Sequence, residues 1–150
     1  MSDEGYQIES KVKEIRSKIG LAMRSRSYRA ANELRNASQL VLRGQRSGRR
    51  YRVPGTKRYY TASAPGEPPA VRTGAFRMGW QPKTQVQSDT MTNLQIRAYI
   101  ESSTRTDNGK YLLGELLENG SGRMAPRPYR EKIQEKARNK IIKIYKEPYL

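Results

Sequence analysis

The stretch from Tyr6 to Leu42 contains no proline and a single glycine, Gly20. Its apolar residues fall at Ile8, Val12, Ile15, Ile19, Ala22 or Met23, Ala30, Leu34, Ala37 and Val41. Steps of three and four are the helical period, so the pattern predicts one long amphipathic helix. Such a helix constrains everything else, because the rest of a small chain must pack along it. Ser2-Asp3 offers a cap near its start and Gly44 follows its end. The stripe weakens at Arg26, which predicts a bend or break near Ser25–Ser27. A stripe this narrow suits packing against a neighbouring molecule as well as against the chain's own sheet.

From Gly44 to Gly74 the periodicity disappears. Val53-Pro54-Gly55-Thr56 has proline and glycine in the order of a type II turn. Arg49–Val53 and Arg58–Thr61 flank that turn and are expected to pair as a β-ribbon. "SAPGEPPAVRTG", Ser63 to Gly74, holds three prolines, two glycines and one carboxylate. Residues before proline are pushed out of the helical region, so Pro65–Pro69 should be extended. A long segment with so little apolar content inside a small domain is more often functional or disordered than structural. The expectation is a single domain over 1–150, with 44–74 as a protruding arm.

Beyond Gly74, "AFRMGW" reads as a short helical turn or the start of a strand. "QPKTQVQS" and "NLQIRAYIES" read as two antiparallel strands joined around Asp89–Thr92. In the second, Leu94, Ile96, Ala98 and Ile100 alternate with polar residues. Tyr111, Leu112, Leu116 and Leu117 suggest a short helix that Asn119-Gly120 ends. A last helix is expected to begin at Pro126 or Pro128, with its apolar stripe at Ile133, Ala137, Ile141 and Ile144. The fold class is α+β: long N-terminal helix, extended central loop or β-ribbon arm, small antiparallel sheet, C-terminal helix.

Charge narrows the function. Lys and Arg total 30 against 14 acids, a net charge of +16, with 35% apolar residues for one modest core. Either a polyanion or a protein with an acidic surface is implied as partner. Between Glu33 and Glu67 lie Arg35, Arg43, Arg46, Arg49, Arg50, Arg52, Lys57 and Arg58, with no acid among them. Tyr51, Tyr59 and Tyr60 are interleaved. Guanidinium groups bind phosphate in pairs of hydrogen bonds, and tyrosines stack on bases or donate to phosphate oxygens. Arg46, Arg49, Arg50, Tyr51, Arg52, Lys57 and Arg58 are therefore the candidate contacts with DNA or with an acidic partner. No helix-turn-helix or zinc-finger pattern points to base reading.

The chain has neither cysteine nor histidine. Disulfides, thiolates, the commonest metal ligand and the commonest general base near neutral pH are all absent. Glu115 with Glu118, or Asp89 with Asp107, are the available carboxylate pairs. Neither makes the converging cluster that metal-dependent nuclease chemistry needs. No phosphate-binding glycine loop and no nucleophile elbow is present. The expectation is a protein with no catalytic activity, metal or cofactor. The N-terminus is polar and acidic, unlike a signal peptide, and no apolar run approaches the ~20 residues of a membrane span. A soluble chain made in a cytoplasm is expected.

Two runs carry a family likeness. "YYTASAPGEPPAVRTGAFRMGW", followed by "YLLGELLENGSGRMAPRPYREKIQEKA", resembles the neck and tail-completion (minor tail) proteins of long-tailed bacteriophages. In that family an "APGxPPxxxTGxLRxS" loop and a "Y…xExGTxxMxARPFL" segment flank an antiparallel sheet. The first motif matches at Ala64, Pro65, Gly66, Pro68, Pro69, Thr73, Gly74 and Arg77. The second matches at Tyr111, Glu118, Gly120, Met124, Ala125, Arg127, Pro128 and Tyr129. Phe76, Gly79, Asn119, Ser121 and the additional Pro126 depart from the pattern.

The resemblance implies a non-catalytic ring component, commonly sixfold, at the head–tail junction of a virion, assembled in the host bacterial cytoplasm. Its implied partners are further copies of itself, a head-closure or connector protein, a tail-terminator or tail-tube protein, and genomic DNA contacted without sequence preference. Tyr59, Tyr60, Pro65, Gly66, Pro68, Pro69, Thr73, Gly74 and Arg77 are the expected contacts with a neighbouring subunit or ring. Glu118, Gly120, Arg127 and Pro128 are expected to be structural, with Arg127 paired to Glu118 and Thr73-Gly74 acting as a hinge. The alternative that charge alone supports is a small nucleic-acid-binding protein acting as monomer or dimer.

Overall fold

A computed structural model describes residues 3–149; the Ser2 cap lies outside them. Helix α1 spans Asp3–Val41, 39 residues, or about 58 Å at 1.5 Å per residue. It is followed by the hairpin strands β1 (Arg50–Arg52) and β2 (Tyr59–Thr61) and a short helix α2 (Ala75–Met78). A second antiparallel pair comes next, β3 (Trp80–Asp89) and β4 (Leu94–Ser102). Helices α3 (Leu113–Asn119) and α4 (Arg130–Lys146) complete the chain. The α+β architecture read from the sequence is the architecture observed.

Where a bend or break is expected, at Ser25–Ser27, α1 runs on as one unbroken helix. The stripe changes character there because the C-terminal tail docks on it. Arg26, only 5% exposed, donates to the backbone carbonyls of Glu147 and Pro148. Its guanidinium lies 3.7 Å from the centroid of the Tyr149 ring. The Tyr145 hydroxyl donates to Ser27 Oγ at 3.2 Å. Polar residues on the buried face thus have partners and give the helix no reason to break.

Small side chains let the other elements approach α1 closely. Ser27, Ala30, Ala31, Ala37 and Ser38 are all buried. Helix α4 runs antiparallel to α1, with Lys140 beside Glu33 and Glu147 beside Arg29. It buries Ile133 and Ala137, the first half of the stripe read from the sequence. The β3–β4 hairpin, with a bulge between Val86 and Ser88, also lies along α1. Arg16 and Arg24 hold its tip through the Asp89 carboxylate at 2.8 and 2.7 Å.

The core proper sits where α1, β3 and α4 meet. It contains Ala37, Leu42, Trp80, Tyr129, Ile133 and Ala137, with Phe76, Ile100 and Leu117 against it. Phe76, Trp80 and Tyr129 form a three-ring cluster with centroids 5.5 to 5.7 Å apart, packed edge to face as their quadrupoles favour. Burial pushes the Tyr129 hydroxyl up to about 12. That hydroxyl donates to the Gly114 carbonyl at 2.9 Å. No helix among the described residues is long and apolar enough to cross a membrane.

Candidate functional site

The basic hairpin is built by its turn. The Thr56 N–H donates to the Val53 carbonyl at 3.1 Å, and Gly55 takes φ +73°. That is the left-handed position a type II turn demands at its third residue, which glycine fills without strain. Val53 is buried and anchors the turn. Arg50, Tyr51 and Arg52 pair with Thr61, Tyr60 and Tyr59. Side chains alternate across a strand, so Arg50 and Arg52 share a face with Tyr59. The Arg50 guanidinium lies 4.8 Å from the Tyr59 ring centroid. Tyr51 and Tyr60 face each other with centroids 6.0 Å apart.

Arg49, Arg50, Tyr51, Arg52, Lys57, Arg58 and Tyr59 are all exposed. The ion pairs found among the described residues include none of these five cations. Arg52 spends its Nε on the Thr56 carbonyl at 2.7 Å, which stiffens the turn and leaves its other nitrogens outward. The hairpin is therefore a small, twisted, positively charged blade.

Arg46 does not belong to it. This side chain turns inward and donates to the carbonyls of Pro68 (2.8 Å), Val41 (2.9 Å) and Pro69 (3.3 Å). Desolvation lowers its pKa below the ordinary arginine value. It ties the end of α1 to the proline segment, and its phosphate-binding fork is already occupied.

The proline segment is fastened to its own chain at several further points. Glu67 accepts from the Ser47 hydroxyl, from the Ser47 N–H at 3.1 Å and from the Ala64 N–H at 2.9 Å. Those hydrogen bonds hold its carboxyl down at about 2. Gly66 N–H donates to the Pro126 carbonyl at 3.3 Å, and Lys132 Nζ donates to the Gly66 carbonyl at 3.0 Å. Arg127 Nε donates to the carbonyl and hydroxyl of Ser63 at 3.1 and 2.9 Å. The two motif segments, about sixty residues apart in the chain, are thus neighbours in space.

The expected Arg127–Glu118 pair is replaced by this arrangement. Glu118 accepts from the backbone N–H groups of Tyr129 (2.9 Å) and Arg130 (3.3 Å). A carboxylate there satisfies donors that the start of α4 leaves open, and it suits the positive end of the helix dipole. It also explains why α4 begins at Arg130 and not at either proline. Tyr111 and Leu112 likewise fall outside α3, whose first residue is Leu113. Gly120 ends α3 at φ +74°, and an added Cβ would sit 2.8 Å from the Met124 carbonyl.

The remaining candidates divide by exposure. Pro65, Gly66 and Thr73 are exposed, Tyr60, Pro68, Gly74 and Pro128 are half-buried, and Pro69 is buried. Arg77 Nε donates to the Gln39 carbonyl at 3.2 Å, fixing α2 to the last turn of α1. Ser47, Ser63 and Lys132 are fasteners that sequence reasoning missed. The single signal was Glu67, the lone acid in a basic stretch.

The carboxylates of the two candidate pairs are engaged by other groups, Glu118 by the backbone N–H groups at the start of α4. Glu115 is engaged by Arg130, Asp107 by Arg72 and Asp89 by Arg16 and Arg24. No group of three or more His, Cys, Asp or Glu among the described residues is placed to hold a metal ion. A cleft of about 630 Å³ lies between β4, α3 and α4, lined by Trp80, Tyr99, Leu112, Arg130 and Ile133, away from the hairpin. Scans against protein-family models, curated proteins and solved structures found no match. The class that the geometry itself defines is a small α+β domain carrying an exposed basic hairpin on a fastened, proline-rich base.

Proposed function

We propose that this protein is a structural component of a phage head–tail connector (neck) ring, joining the tail to the DNA-filled head and surrounding the DNA channel. The observation that carries the reading is the meeting of the two segments that resemble the neck family. Ser63–Pro69 and Ala125–Lys132 hold one another through Arg127, Gly66 and Lys132, as parts of one motif should. The hairpin springs from that junction. In a ring it supplies the positive surface that faces channel DNA or an acidic neighbouring ring. The ring is built of copies of this chain, in the sixfold arrangement the resemblance implies, between a head-closure or connector protein and a tail-terminator or tail-tube protein. No catalytic step is assigned to it.

Particles assembled without the protein test the reading. DNA-filled heads and separate tails are expected in electron micrographs. Joined, infectious particles would refute it. The second reading, a small nucleic-acid-binding protein acting as monomer or dimer, is favoured by the five exposed hairpin cations, which make no ion pair among the described residues. It predicts tight DNA or RNA binding by the free chain, and joined particles in its absence.

A further inference from the structure

Every residue from Tyr6 to Glu14 is exposed, although all are helical. A free helix this short is marginal in water. The ion pair Glu9–Lys13 braces one flank of it, and Lys11–Glu14 and Glu14–Lys18 brace the other. Between these flanks lie Ile8, Val12, Ile15 and Ile19, spaced four, three and four. That is the seam of two coiled-coil heptads, with β-branched residues throughout. Farther along α1, Arg26, Ala30 and Ala37 continue the same face, and there α4 and its tail cover it. Helix α4 runs toward the N-terminal end of α1 and stops abreast of Arg26 and Arg29, both of which bind Glu147. Ahead of that point Ile8 stays 67% exposed and Val12 50%.

Charge selects the occupant. The positions beside the seam are Glu4 and Glu9 at one end and Lys11, Arg16 and Lys18 at the other. A parallel copy would set Glu4 on Glu9 and Lys11 on Arg16; an antiparallel copy sets Glu4 and Glu9 toward the partner's Lys18. We propose that α1 of one molecule pairs antiparallel with α1 of a second copy of this chain. Ile8 packs on the partner's Ile19 and Val12 on the partner's Ile15, and each layer occurs twice by symmetry. This contact is two-fold, and so is distinct from the head-to-tail contacts that close a ring. It stands whether or not the neck reading does.

The absence of native cysteine makes the test clean. Full-length Ile8→Cys is oxidised alone and in mixture with Ile19→Cys. The antiparallel seam gives a disulfide between the two variants. It gives none in Ile8→Cys alone, because the two copies of residue 8 are about eleven residues, or ~16 Å, apart along the axis, far beyond disulfide reach. Self-linking of Ile8→Cys at equal yield would overturn the proposal. Sedimentation of the native chain should show mass rising with concentration from 17.2 kDa toward twice that value. Val12→Asp, at an exposed site remote from the core, should weaken association at least tenfold with the circular dichroism of the folded body unchanged. A chain that stays monomeric at every concentration, or an assembly indifferent to Val12→Asp, overturns the proposal. The second outcome would leave the ring reading intact.

Discussion

Glu118 offers a sharp test of how the second motif works. The carboxylate accepts from two backbone N–H groups at the entry to α4, 2.9 Å from Tyr129 N and 3.3 Å from Arg130 N. Arg127 is engaged elsewhere, on Ser63. Loss of a helix cap costs about 0.5–2 kcal/mol, and a hydrogen bond to a charged group about 1.5–3 kcal/mol. The second bond is the longer, so Glu118→Ala should cost about 2–3 kcal/mol in urea unfolding. That corresponds to a fall of roughly 4–12 °C in Tm for a chain of this size. Glu118→Gln keeps a neutral acceptor and should lose about half as much. Arg127→Ala removes the tie to Ser63 and should cost about 1–2 kcal/mol by a separate route. In a double-mutant cycle the two losses should add to within about 0.5 kcal/mol. A coupling above about 1 kcal/mol would mean that Glu118 and Arg127 form an ion pair after all, and the capping argument would be refuted.

Replacing Arg49, Arg50, Arg52, Lys57 and Arg58 by Gln should reduce the slope of log K against log salt for duplex DNA by up to about 4.5, from ~0.9 per phosphate. Equal slopes for native and variant chains, measured by fluorescence anisotropy, would show that the hairpin does not touch DNA. The Glu67 carboxyl, held at about 2 by Ser47 and Ala64, has its pKa depressed on folding. Its contribution is therefore present above the unfolded carboxyl value of about 4.3 and is lost as pH falls from there toward 2. Protection of the Ser47 and Ala64 amides, measured as exchange relative to the intrinsic rate at each pH, should fall in that window, and the effect should vanish in Glu67→Gln. Gly114→Ala places a Cβ 2.7 Å from the Tyr129 hydroxyl and should cost about 1–3 kcal/mol; thermal unfolding indistinguishable from the native chain would contradict the packing described.

Much of the fold was legible because it is written in neighbouring residues. The period-three-and-four stripe of α1, the alternation of Leu94, Ile96, Ala98 and Ile100, and the Pro54-Gly55 turn each encode their geometry locally. The bend expected at Ser25–Ser27 came from reading Arg26 as a polar interruption. Only the folded chain reveals that its tail returns to bury that side chain.

The sequence by itself determined the helices, the two hairpins and a strong positive charge, all of which follow from period, turn chemistry and composition. The tertiary structure alone decided which cations remain free. Arg46, Arg77 and Arg127 look no different in sequence from Arg49, Arg50 and Arg58, yet the first three are taken up by backbone carbonyls of distant segments. Every residue carries a carbonyl, so a partner of that kind leaves no mark in the order of side chains. It becomes a partner only when folding brings it within about 3 Å of a guanidinium.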